Sequence, residues 1–199
     1  MLTNAHSLPA RLKEATAPLH DSVERALPLA APGLTLDAYR RILAAFLGFY
    51  VPLEAALIRV ARRWPRDLDL LGREKISRLR QDLKTLGATE VDLAAVPLCP
   101  TVPRIEDVPR ALGCMYVLEG ATLGGRVVSR SIHENLSIDA HGGGSFFQAY
   151  GVETAPMWRS FVARLNRQPP PFDEVVTAAL ETFERFEHWL RDRGAPGWR

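Results

Sequence analysis

The chain has 199 residues, of which 47% are apolar and 24% are charged, so its composition is that of a folded domain and not of a disordered segment. Its 25 basic and 23 acidic side chains leave a net charge of +2, which lacks the pronounced basic excess of a nucleic-acid binder. Two cysteines are too few for a disulfide framework and favour a reducing, cytoplasmic setting. We expect one domain over residues 1–199, with flexible ends at residues 1–7 and 195–199.

Apolar residues recur at spacings of three and four along the chain, while strict alternation is rare, so the sequence predicts an all-α, multi-helix bundle. The first predicted helix spans about Leu8 to Leu27, with Ser7 as its N-cap and Pro18 as a kink or restart. The second runs from a cap at Thr35 towards Trp64. Its apolar centre is shorter than the roughly 20 residues of a membrane span, so we predict a buried core helix and no membrane contact.

Four further helices are predicted from the same periodicity. They are Arg73 to Leu86, ended by Gly87; Val108 to about Asn135, capped by Asp107; Ala155 to Leu165, capped by Thr154; and Asp173 to Gly194. The proline-rich stretch between the third and fourth helices, which closes at Pro103, predicts a loop, and a second loop is expected at Gly142 to Gly144.

The first helix carries a polar stripe at spacings of three and four residues, formed by Lys13, Thr16, His20 and Glu24. A histidine that binds a metal needs an acceptor for its second ring nitrogen, and Glu24 lies one turn away from His20. The alternative is an ordinary solvated face, which spacing alone favours because such polar pairs are common on exposed helices.

The fourth helix is unusual because four glycines lie inside it, namely Gly113, Gly120, Gly124 and Gly125. Each costs up to about 1 kcal/mol relative to alanine in a helix interior, so their presence needs a reason. A missing side chain lets the backbone approach either a flat ligand or a neighbouring helix. The sequence leaves these two interpretations even.

The segment from Lys13 to Glu24 and the segment from Glu119 to Gly125 together resemble the heme oxygenases, and most of all the bacterial enzymes that make biliverdin. The resemblance follows helix order over nearly the whole chain. It implies oxidative cleavage of heme to biliverdin, carbon monoxide and ferrous iron, with heme as both substrate and cofactor, and with O2 and electrons from an external reductant. The implied partners are a ferredoxin or flavoprotein reductase as electron donor and a biliverdin acceptor such as a bacteriophytochrome.

The resemblance also implies roles for individual residues. His20 would ligate the iron, Glu24 would orient its imidazole, and Lys13 would contact a heme propionate, with Thr16 in the same stripe. The remaining implied site residues are Tyr116 and Arg159 as propionate contacts, Gly120, Gly124 and Gly125 as the backbone over the iron, and Phe183 as an aromatic pocket wall. For Phe183, an ordinary core position is an equally good interpretation.

One position departs from the family pattern. Where the family usually has a polar residue after the first of the glycines over the iron, here Gly120, this chain has Ala121, and the neighbouring Thr122 or an ordered water is a candidate substitute. The departure motivates a second hypothesis, a heme-binding sensor or carrier that does not oxidise heme. A thiaminase-like hydrolase with Cys114 as nucleophile is a third, against which a buried structural cysteine is the simpler interpretation.

Basic residues are concentrated between Arg59 and Lys84, where nine cations accompany four acidic side chains. The local excess of +5 is suited to steering an acidic electron donor. An ordinary solvated helical face is the alternative that the sequence favours.

Overall fold

A computed structural model of the protein describes residues 7–168 and 171–193, which form seven α-helices and no β-strand. The predicted all-α fold is therefore confirmed. The helices are α1 (Leu8–Ala26), α2 (Leu36–Arg63), α3 (Ile76–Thr85), α4 (Glu90–Ala95), α5 (Val108–Leu136), α6 (Thr154–Leu165) and α7 (Asp173–Asp192). Apart from Ser7, the ends that we predicted to be flexible lie outside the described residues, as does Gly194.

Three predicted N-caps are confirmed by hydrogen bonds from the first helical turn. The side chains of Ser7, Thr35 and Asp107 accept from backbone N–H groups at 3.4, 3.2 and 2.9 Å. Pro18 lies inside α1, which continues without a restart. The predicted C-cap also holds, since Gly87 follows α3 with a φ of +99° that side chains rarely adopt.

Three boundary predictions were wrong. α3 begins at Ile76 and not at Arg73, because the preceding residues are drawn into a buried ionic cluster described below. The predicted loop before Pro103 contains α4, whose capping box joins Thr89 and Asp92. Thr154 is the first residue of α6 and makes no capping hydrogen bond with its side chain.

α2 is the central helix of the core. By length and apolar composition alone it would suffice to cross a membrane, but 67% of its most apolar window is buried inside the protein. Tyr39, Leu43, Leu47 and Leu53 are each at most 1% exposed. This burial confirms the prediction of a core helix.

α7 packs along both α5 and α1, whereas α1 and α5 are not closely packed on each other. Gly113 allows a close approach of α5 to α7, because a Cβ atom there would lie 2.2 Å from the Val175 carbonyl oxygen. The backbones of the two helices are therefore in direct contact at this point. α7 therefore packs against both α1 and α5.

Candidate functional site

The polar stripe of α1 faces solvent around His20. The His20 side chain is 49% exposed, and its ring packs edge-on against Phe183 of α7, with the ring centroids 6.1 Å apart. Phe183 itself is 8% exposed. The predicted iron ligand and the predicted pocket-wall aromatic are therefore neighbours, on α1 and α7.

Two carboxylates flank the imidazole of His20. Its Nε2 atom lies 3.6 Å from Glu24 Oε1, and its Nδ1 atom lies 3.8 Å from Asp21 Oδ1. The expected partner Glu24 is thus in reach, and sequence reasoning missed Asp21, which directly follows the histidine. A metal would bind one ring nitrogen of His20. The carboxylate near the other nitrogen could then orient the ring, and the carboxylate near the metal-binding nitrogen would have to move away.

α1 and α5 come together where Thr16 lies near Tyr116. The Thr16 hydroxyl donates to the Leu12 carbonyl at 2.7 Å. Burial raises the pKa of Tyr116, and the nearby Thr16 hydroxyl opposes this. The Tyr116 ring lies 5.9 Å from that of Trp158 in α6. Three helices therefore come together at this point.

The glycines of α5 separate into two kinds. An added Cβ at Gly120 or Gly124 would meet no atom within 4 Å, so their side-chain positions face open space. At Gly125 it would lie 2.1 Å from the Phe147 carbonyl oxygen, so packing against the protein itself requires this glycine, as at Gly113. The packing interpretation is therefore confirmed at Gly113 and Gly125, whereas Gly120 and Gly124 have no packing partner and the flat-ligand interpretation stays a prediction there.

The open glycines belong to an exposed face of α5. Leu123 is 45% exposed and Val127 is 68% exposed, and both lie within one turn of Gly124. Exposed apolar side chains beside bare backbone form a surface that suits a flat apolar ligand. The predicted propionate contacts Lys13 and Arg159 are both exposed, on α1 and α6.

Neither Ala121 nor Thr122 exposes a polar side-chain group on α5. Ala121 is exposed and apolar. Thr122 is 8% exposed, and its hydroxyl donates to the Glu119 carbonyl oxygen at 2.6 Å. The hydroxyl of Thr122 is therefore occupied inside the protein, and the expectation that it replaces a distal polar group was wrong.

Behind the open glycines lies a buried ionic cluster centred on Glu119. The Glu119 side chain is 2% exposed and contacts Arg73 at 2.5 Å and Lys75 at 2.7 Å. Tyr150 donates to the same carboxylate at 2.8 Å, and Glu54 accepts from the backbone N–H of Lys75 at 2.7 Å. Burial lowers the pKa of Lys75 and raises that of Tyr150. A cavity of about 20 Å³ adjoins the cluster, which is room for about one water molecule and not for a larger ligand.

The cluster corrects the interpretation of the basic segment as a wholly solvated face. Arg73 and Lys75 have side chains only 4% and 7% exposed. The outer members of the segment, such as Arg59, Arg62 and Arg66, are exposed as expected. The sequence signal for the buried pair was Glu119 itself, an isolated carboxylate in an apolar stretch of α5 that needs buried cations.

Cys114 lies in the interior, which argues against a nucleophile. The residue is 0% exposed, its Sγ lies 3.3 Å from Thr182 Oγ1, and burial raises the pKa of the thiol to about 11. A catalytic thiol needs access and a lowered pKa. The interpretation of Cys114 as a structural cysteine is therefore supported.

Comparison with known proteins identifies the class. The sequence profile of the heme oxygenase family matches residues 6–192. A heme oxygenase from Xanthomonas campestris pv. campestris is 35% identical over 127 residues, which cover 62% of this chain and 72% of the relative. The chain therefore belongs to the heme oxygenase family, and it is an enzyme for which the family implies heme as substrate.

Solved structures show the same fold. The NO- and CO-bound heme oxygenase from Neisseria meningitidis aligns with a TM-score of 0.79 at 22% identity, covering 96% of this chain and 94% of that chain. Heme oxygenase from Leptospira interrogans aligns with a TM-score of 0.76 at 17% identity, covering 92% and 98%. Heme oxygenase-1 from the cyanobacterium Synechocystis, in complex with heme, aligns at 0.74 and 13%, covering 94% and 91%.

Proposed function

We propose that heme binds in the space between α1 and α5, called the cleft below, and that the enzyme oxidises it to biliverdin, carbon monoxide and ferrous iron, using O2 and electrons from an external reductant. The observation that carries the proposal is the division among the α5 glycines. Gly113 and Gly125 are required by packing, whereas Gly120 and Gly124 face open space and serve no packing contact. Glycines on an exposed helix face allow a planar ligand to lie directly against the helix backbone.

α1 supplies the iron ligand in this proposal. His20 is exposed, has a carboxylate near each ring nitrogen, and rests on Phe183. As a neutral ligand, His20 would hold the iron without the strong electron donation of a thiolate, and the bound heme would supply the oxidation chemistry. The protein supplies ligation, orientation and a shaped cleft.

The propionates of heme are assigned to cations of α1 and α6. Lys13 and Arg159 are exposed cations that can pair with propionates. Tyr116 lies near Thr16, one turn after Lys13, and contacts Trp158, which directly precedes Arg159. The resemblance places Gly125 over the iron with Gly120 and Gly124, but Gly125 is buried against the Phe147 carbonyl oxygen, so it is not part of the exposed surface that the other two form.

The proposal extends to partners and setting. The exposed cations between Arg59 and Lys84 are suited to docking an acidic ferredoxin or a flavoprotein reductase in the cytoplasm. A biliverdin acceptor such as a bacteriophytochrome would take up the product.

The test is a single turnover followed by absorbance. Purified protein is mixed with one equivalent of hemin, and ascorbate is added in air, with His20→Ala in parallel. We expect the Soret band of the wild type to give way to a biliverdin spectrum and the variant to lose this conversion. Absence of heme binding by the wild type would contradict the proposal.

A second candidate, a heme sensor or carrier, is favoured by Ala121, since neither this residue nor Thr122 offers a polar group to the cleft. It predicts a stable Soret band that ascorbate and air do not convert. Ala121→Ser would then create turnover, whereas in an active oxygenase it would change the rate little.

A further inference from the structure

Arg73 joins the helix that carries the open glycines to the helix that carries Arg159. Its guanidinium contacts Glu119 Oε2 of α5 at 2.5 Å and donates to the Met157 carbonyl oxygen of α6 at 3.3 Å. Glu119 directly precedes Gly120, and Met157 lies two residues before Arg159. One buried side chain therefore fixes the position of the bare backbone relative to the exposed cation of α6.

The cluster restrains Glu119 from several directions. Lys75 and Tyr150 both contact its Oε1 atom, at 2.7 and 2.8 Å, while Thr122 donates to its backbone carbonyl. A buried ion cluster is weak evidence for stability, because apolar residues of similar volume often hold a fold equally well. What the ion cluster adds is a defined geometry, since charged hydrogen bonds form only at particular distances and angles. The residue before Gly120 is therefore held in position and not merely buried.

We propose that Arg73 and Glu119 are a specificity-determining positioning pair, which selects the meso carbon of heme that is oxidised. The inference rests on the proposed function, with Arg159 at a propionate and Gly120 over the ring. The four meso carbons of heme differ little in intrinsic reactivity, so the in-plane angle of the ring in the protein determines which one is presented for oxidation. That angle depends on where α6 holds the propionate relative to the α5 backbone. A misplacement of about 1 Å is enough to change a reaction rate about a hundredfold.

The experiment measures which biliverdin isomers form in a single turnover. Wild type, Glu119→Gln and Arg73→Met are loaded with hemin and reduced with ascorbate in air, and the isomers are separated by chromatography. We expect each variant to bind heme through His20. The ratio of minor to major isomers should rise about tenfold, which corresponds to a loss of about 1.4 kcal/mol in orientation preference.

A matched control uses another ion pair of the same helix. Arg110, in the first turn of α5, contacts Glu181 of α7 at 2.6 Å, far along the chain from the open glycines. Glu181→Gln removes an interhelical charge pair of the same type. We expect its isomer ratio to match that of the wild type.

A second variant separates positioning from folding. It replaces the cluster by apolar residues of similar size, through Arg73→Met, Lys75→Met, Glu119→Leu and Tyr150→Phe. We expect cooperative thermal unfolding to be retained while the isomer ratio shifts as in Glu119→Gln. This variant provides the measurement if Glu119→Gln does not fold.

The outcomes are distinguishable. An unchanged isomer ratio in the cluster variants, with heme bound and converted, overturns the positioning role, and so does an equal shift in Glu181→Gln. A wild type that neither binds nor converts heme refutes the proposed function instead, and this is read from the wild-type sample alone.

Discussion

α1 and α5 present different kinds of surface around the proposed heme site. α1 presents exposed polar side chains, with His20 at 49% and Glu24 at 65% exposure. α5 presents bare backbone at Gly120 and Gly124, and Glu119, which directly precedes Gly120, is buried. In the proposed heme complex α1 would supply the iron ligand, while α5 would supply a surface whose position is fixed by the interior.

The largest expected effect is on the fixed side. Gly125→Ala places a Cβ atom 2.1 Å from the Phe147 carbonyl oxygen, so the backbone must shift. We expect the free energy of unfolding to fall by about 3 kcal/mol, as for an overpacked core. Chemical denaturation of the protein without heme measures this. A loss below 0.5 kcal/mol, the range of ordinary surface changes, would contradict the claim that packing requires Gly125.

The next effect concerns the ligand side. Glu24→Ala removes one of the two carboxylates that flank His20, and we expect heme affinity to fall about tenfold, as for loss of an orienting partner. The free energy of unfolding should change by less than about 0.5 kcal/mol, because Glu24 is exposed. Hemin titration and denaturation measure the two quantities. Asp21→Ala is the matched variant, and the larger loss identifies the carboxylate that orients the ring.

Gly124→Ala tests the difference between the open glycines of α5 and the packed ones. The added Cβ meets no atom within 4 Å, so the helix should gain up to about 1 kcal/mol of stability from alanine's higher helix propensity. The methyl group enters the side of the cleft assigned to heme, so conversion of heme should slow. Thermal melting without heme tests the expected gain in stability, and single turnover with heme tests the expected loss of rate. A destabilised protein would show that position 124 is packed after all.

The smallest effect is expected at Cys114, which lies on the buried side of α5. Because burial raises the pKa of its thiol to about 11, only about one molecule in a thousand carries the thiolate at pH 8. Alkylation by iodoacetamide should therefore be slow in the folded protein and should accelerate as the pH rises towards that pKa. Cys114→Ser should leave heme turnover unchanged, whereas a hydrolase activity that is present in the wild type and lost in this variant would support the hydrolase hypothesis.

Local signals predicted most of the fold. Side-chain caps at Ser7, Thr35 and Asp107 act within one helical turn, so the sequence alone locates them. α4 was missed because the prolines around it predict a loop, although the Thr89 and Asp92 pair was a capping signal. Local chemistry is readable from sequence when both partners are within a few residues.

The long-range part of the site could not be predicted in the same way. Arg73 lies 46 residues before Glu119, and periodicity places both on helices without bringing them together. The same limit applies to the glycines, since Gly124 and Gly125 are identical in sequence terms. What distinguishes them is the Phe147 carbonyl, which belongs to a segment that reaches α5 only in the folded chain.

The open positions of α5 also bear on how this fold can diversify. Because Gly120 and Gly124 have free space outside the helix, single-base changes there can introduce new side chains without a cost in folding. Selection at these two positions then acts on the ligand alone. Neighbouring Gly125 and the more distant Gly113 lack this freedom, so the helix combines two invariable contacts with two adjustable ones, and new specificities can evolve at the latter without prior stabilising mutations.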